Sequence, residues 1–139
     1  MSKKPFVIFG VLLVALAVLV PLWAFGADGD PEARTGSLDP SLEHGKELFD
    51  VNCGTCHTLY AAGTDGNFGP DLDEVIAPAG PPTGKTAAAT IKGAKGRVLN
   101  AIEKGVDSTT TPGRMPAGIL SGAQADAVAE FVAQTAGQG

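Results

Sequence analysis

Five consecutive residues, Cys53-Gly54-Thr55-Cys56-His57, hold the densest chemistry in the chain. Two thiols stand three positions apart, so on a helical turn both face the same side. An imidazole follows at once. The pattern C-x-x-C-H is the attachment signature of a c-type haem. Two thioether bonds reach the vinyl groups on one edge of a porphyrin, and the histidine holds the iron from the proximal side. Cys53 and Cys56 are therefore the expected anchors of one covalently bound haem c, with His57 as its first axial ligand.

Other chemistries of paired cysteines suit this stretch less well. A thioredoxin-like C-x-x-C follows a strand in a βαβ pattern, whereas the approach from Glu43 to Val51 reads as a helix. A zinc site takes four ligands. The chain offers two cysteines and two histidines, and the order His44, Cys53, Cys56, His57 matches no common zinc-finger spacing. A disulfide closing so small a loop would do little for the fold.

The elements around the motif are few. With 19 glycines and 10 prolines the chain reads as loop-rich, with little strand character. From Asp39 onward the aromatic residues are only Phe49, Tyr60, Phe68 and Phe131. So thin a core is marginal for a domain of this size, and a buried porphyrin would supply the missing apolar volume. The net charge of −5 argues against nucleic acid as a partner.

At the N-terminus, Lys3 and Lys4 precede an uncharged apolar run over 6–27. A bilayer takes about 20 apolar residues as a helix, so residues 1–27 are expected to be a membrane anchor. The lysines would stay in the cytoplasm and the rest would lie outside. The rival is a cleaved signal peptide ending near Ala24-Phe25-Gly26, which would leave a soluble periplasmic or secreted protein. Residues 28–38 are polar, broken by Pro31, and read as a linker. Residues 39–139 form the expected haem domain.

Asp39-Pro40 predicts a helix start, with a capping carboxylate and proline at the first helical position. Leu42, Gly45, Phe49 and Asn52 fall on one stripe, with Leu48 beside it. A helix-interior glycine costs about 1 kcal/mol, so Gly45 predicts the close approach of another backbone. His44 reads as a surface residue.

Beyond the motif come Thr58 to Tyr60 and then Phe68-Gly69-Pro70. Gly45-Lys46-Glu47-Leu48-Phe49, the C-x-x-C-H motif and Phe68-Gly69-Pro70 together resemble the class I monohaem cytochromes c. The resemblance covers 39–139, apart from the stretch 77–95, and implies an all-α cytochrome c fold, with three to four helices and long loops around one haem. It also implies that the Pro70 carbonyl accepts from the outer ring nitrogen of His57, fixing the imidazole.

Asp71 to Ile76 is expected to form a helical turn or two, with Asp71, Asp73 and Glu74 as a solvated acidic run. Residues 77–95 read as an insertion-like surface loop with a short turn near Thr86 to Ile91. Its Lys85, Lys92 and Lys95 make it locally basic, as a solvated face or a docking patch. Gly96 to Gly105 predicts a helix with Val98, Leu99 and Ile102 on its apolar side and Gly105 ending it. A polar loop over 106–113 then leads to Arg114-Met115-Pro116.

Met115 is the only methionine beyond the initiator, and it stands beside proline outside any apolar stripe. In the family the distal ligand is a methionine in such a loop, so the resemblance implies that Met115 is the second ligand to iron. Ser121 to Gln124 reads as a capping box opening a helix to about Thr135, with Ala125, Val128, Ala129 and Val132 on one face. In the family the first and last helices cross, which here would pack Gly45 and Phe49 against Phe131.

An iron held by histidine and methionine has no open position, which suits electron transfer and not catalysis. No general acid, nucleophile or carboxylate pair stands out. The expected function is a one-electron carrier at the outer face of the cytoplasmic membrane, anchored through 6–27 and docking transiently with redox donor and acceptor proteins. The alternatives are a haem-bearing subunit of a larger membrane redox complex, or an open-site haem protein (ligand-binding or peroxidase-like) in which Met115 is not a ligand.

Overall fold

The computed structural model describes residues 4–27, with side chains for 8–20, and residues 38–107 and 113–139. It forms two compact units, one holding the N-terminal helix and the other everything from residue 38 onward. Helix α1 spans Lys4–Ala27. Its described side chains, over 8–20, are apolar and exposed nearly all round. Among the described residues no helix is long and apolar enough to cross a membrane, and 8–20 by itself is shorter than the roughly 20 residues a bilayer takes. The expected linker lies almost wholly outside the described residues.

The second unit is built on four helices: α2 (Pro40–Asn52), α3 (Leu72–Ile76), α4 (Ala87–Lys104) and α5 (Gly122–Thr135). Helix α5 is the axis, and α2 and α4 pack against it. Its Ala125, Val128, Phe131 and Val132 join Leu42 and Phe49 of α2 and Ile102 of α4 in one core. Between α2 and α3 a small hairpin pairs β1 (Thr58–Leu59) with β2 (Thr64–Asp65), antiparallel. Apart from an isolated bridge between Val106 and Met115, this pair is the β structure of an otherwise helical unit among the described residues.

Helix α2 starts as the sequence predicts. The Asp39 carboxylate accepts from the Ser41 N–H at 2.9 Å, and Pro40 follows. The expected crossing is present. A Cβ on Gly45 would collide with the Ala127 carbonyl oxygen of α5 and come within 2.8 Å of Phe131 Cβ. Four residues on, Phe49 meets Phe131 edge to face, with ring centroids 5.9 Å apart. Asn52, the last position of the stripe, is exposed, and its side chain donates to the Leu48 carbonyl. His44 lies on the surface, 3.9 Å from the Glu47 carboxylate.

Four expectations change. The supposed 77–95 loop is helical from Ala87, so the helix expected from Gly96 is the second half of α4. Ala87-Ala88-Ala89 supplies the best helix former in a row, which outweighs two interior glycines at about 1 kcal/mol each. The capping box does not form: Ser121 makes no side-chain cap. Gly122 at φ +56° swings the chain into α5 from a left-handed position, out of line with the box geometry.

Asp73 is not solvated. It is buried, and its carboxylate accepts from the Tyr60 N–H and the Gly137 N–H, each at 2.7 Å. It thus joins α3 to the segment after the haem motif and to the C-terminal end. Lys95 is not a free cation either. Its ammonium lies 2.9 Å from Asp126 and 2.8 Å from Glu130 of α5.

The Lys95 pairing carries a pH signature. The bond to Lys95, with a smaller one from Gln134, lowers the Glu130 carboxyl pKa, and the bonds to Glu130 and then Asp126 raise the Lys95 ammonium. A lowered acid contributes stability above its unfolded value, about 4.3, and loses it as pH falls through the folded value. A raised lysine contributes below about 10.4 and loses it as pH climbs further. Both contributions are therefore complete at neutral pH. For pairs this exposed the expected worth is about 1 kcal/mol or less. Lys95→Ala should lower the unfolding free energy by that amount near neutrality. In urea titrations at several pH values, its gap from wild type should close as the solution is acidified below about pH 4.

Candidate functional site

Helix α2 ends where the cysteines begin. The Cys53 N–H donates to the Phe49 carbonyl at 2.8 Å, and the Cys53 carbonyl then accepts from both Cys56 and His57 N–H at 3.0 Å. The thiols thus sit on a tight turn closing the helix. Cys53 is buried and Cys56 exposed. Burial, with a smaller push from Cys56, raises the Cys53 thiol to about 11. A thioredoxin-type pair depends on a lowered thiol, so this environment speaks against that chemistry.

The motif's backbone is braced from the hairpin. The Thr64 hydroxyl donates to the His57 carbonyl at 2.9 Å and accepts from the Leu59 N–H at 3.1 Å. The Thr58 hydroxyl donates to the Gly66 carbonyl at 3.0 Å. Nothing in the sequence marks these threonines, because each bond spans a loop whose path the residue types do not dictate.

His57 Nδ1 lies 2.9 Å from the Pro70 carbonyl oxygen. A carbonyl can only accept, so Nδ1 carries the proton and Nε2 keeps a free lone pair, the form a metal needs. The segment making this contact is tied back to the motif, since the Gly69 N–H donates to the Cys56 carbonyl at 2.7 Å. It also lies flat on the imidazole: a Cβ on Gly69 would come within 2.7 Å of Nδ1.

Met115 is half-buried, and its backbone forms an antiparallel bridge to Val106, with N–H to carbonyl bonds of 3.0 Å in both directions. The loop leading to it falls outside the described residues over 108–112. Beside it the Arg114 guanidinium pairs with Asp107 at 2.7 Å, both largely exposed.

These residues converge. Cys53, Cys56, His57, Pro70 and Met115 all line one cleft of about 340 Å³. The walls are apolar, from Phe49, Leu72, Ile76, Val98, Ile102 and Val132. The cleft therefore brings together all five residues that the motif and the resemblance single out. The charged residues on its lining are Arg97 and Arg114. No motif marks Arg97, which reaches from α4 to the end of α3 and donates to the Ile76 carbonyl at 2.8 Å.

The donor set suits a haem c. Two thiols, an imidazole with a free Nε2 and a thioether line the same space, and most of the remaining wall is hydrocarbon. A comparison with protein-family models matches residues 42–136 to the model described as Cytochrome c, more than half of the chain. No curated protein matches the chain.

The contact of Gly69 with the imidazole gives a test of this geometry. Overpacking costs about 1–3 kcal/mol, so Gly69→Ala should destabilise the matured protein by that much in urea titration. An unchanged midpoint would mean the ring does not rest on residue 69.

Proposed function

The chain belongs to the cytochrome c family, and on that footing we propose that it is a one-electron carrier with a single haem ligated by His57 and Met115. The cofactor is haem c, bound covalently, and Cys53 and Cys56 are the only cysteines available to hold it. When bound, the group supplies a reversible one-electron iron couple.

The observation that carries this reading is the presence of His57 and Met115 on one cleft, each held by its own hydrogen bonds. Pro70 orients the imidazole and raises its basicity as a ligand. The Val106 bridge fixes the Met115 backbone next to the Gly105 turn that ends α4. With His57 and Met115 both holding the iron, no site would be left there for substrate, and little would need to rearrange when its charge changed. The thioether favours the ferrous state and raises the potential relative to two histidines.

Partners are redox proteins that dock and leave, with the small interfaces below about 1,200 Å² typical of such encounters. The location we propose is the outer face of the cytoplasmic membrane. Its support is the sequence: Lys3 and Lys4 ahead of the apolar run over 6–27.

Visible spectra of the matured protein test the ligation. The wild type should be low-spin in both oxidation states without added ligand. It should also show the weak far-red band of a methionine sulfur on ferric haem. Met115→Ala should lose that band and lower the reduction potential. A wild type without the band would make this an open-site haem protein instead.

A further inference from the structure

The segment that supports His57 also touches the segment that carries Met115. Phe68 directly precedes Gly69-Pro70, and its carbonyl accepts from the Gly113 N–H at 3.2 Å. The Phe68 ring lies over the same glycine. A Cβ on Gly113 would stand 2.8 Å from the Phe68 carbonyl oxygen and 3.1 Å from ring atom Cε1. Gly113 has no left-handed φ, so what the position requires is space and not backbone freedom. Both residues line the cleft, yet Phe68 is 56% exposed. A large apolar side chain that far from burial contributes little to the core.

Met115 packs against the core, and just beyond it the Gly118 N–H donates to the Ile102 carbonyl at 2.7 Å; three further contacts hold the segment among the described residues. One is the Val106 bridge, next to Gly105, where a Cβ would stand 2.6 Å from the Met115 carbonyl oxygen. A second is the Arg114–Asp107 pair, with side chains 79% and 77% exposed, a class of contact that contributes little. The third is Gly113 on Phe68. This last one joins the two halves of the cleft, because 68–70 is itself bonded to Cys56 and His57.

We propose that Phe68 and Gly113 are positioning residues that hold the Met115 segment across the mouth of the cleft and so keep small exogenous ligands off the distal side of the iron. The inference rests on Met115 being the distal ligand. It adds that ligation is conditional on a contact two residues away, in which position 113 has no room for a side chain and position 68 needs a ring. Gly113→Ala would push the Met115 segment outward. Phe68→Ala would leave the backbone bond but remove the cover.

The test is imidazole binding to the ferric, matured protein, with Met115→Ala as the fully open reference. Gly113→Ala and Phe68→Ala should each bind imidazole at least about tenfold more tightly than wild type, with a weakened far-red methionine band. Phe68→Tyr, which keeps the ring, should match wild type. Intact mass and far-ultraviolet dichroism should remain those of the folded, haem-bearing chain. If Gly113→Ala does not mature, Phe68→Ala against Phe68→Tyr carries the test alone. Imidazole affinities within twofold of wild type for the matured variants would overturn the proposal while leaving Met115 ligation intact. A wild type that already binds as tightly as Met115→Ala and lacks the band would overturn the ligation reading itself, and this inference with it.

Discussion

The crossing of α2 and α5 at Gly45 is the constraint from which the site follows. Two helices can approach this closely only where one lacks a side chain, and here the missing atom would fall on the Ala127 carbonyl and Phe131. The approach seats Phe49 edge-on against Phe131. It also fixes the end of α2 beside Val128 and Val132, so Cys53 emerges at the wall of the cleft instead of in solvent. A larger residue at 45 would tilt α2 and carry the haem-attachment turn away from α5.

From that fixed corner the remaining chemistry is supplied by loops, and hydrogen bonds do the work that packing does elsewhere. His57 is held by Pro70 in front and Thr64 behind. Met115 is held by the Val106 bridge. The short helix α3, next to Pro70, is held at its start by Asp71 and Asp73 and at its end by Arg97. A five-residue helix has no stability of its own, and these side chains secure it as one wall of the cleft. Side chains fixed in this way suit the haem-based electron transfer of the cytochrome c family, since every rearrangement would slow the transfer.

Much of this was legible from the residues. The C-x-x-C-H motif is local chemistry, the Asp39-Pro40 start is a local cap, and Gly45 within an apolar stripe announces a close neighbour. What escaped were long-range or competing effects. Asp73 sits in a run of carboxylates, and only the path of the C-terminus to Gly137 shows why it is buried. Lys95 looked like part of a basic loop because its partners lie on another helix, 31 and 35 positions later. The start of α4 is hidden locally, because the prolines and glycines of 77–95 surround the three consecutive alanines that open the helix. The Ser121 box failed because the residue after it is a left-handed glycine.

Everything in the site depends on one porphyrin being bonded to Cys53 and Cys56 in this cleft. Intact-mass measurement under denaturing conditions, on protein from a host able to attach c-type haem, tests it most directly when paired with a count of reactive thiols. The expected result is a single species heavier than its polypeptide by one haem, with no thiol left to alkylate. A colourless chain at the polypeptide mass, with both cysteines reactive, would contradict it.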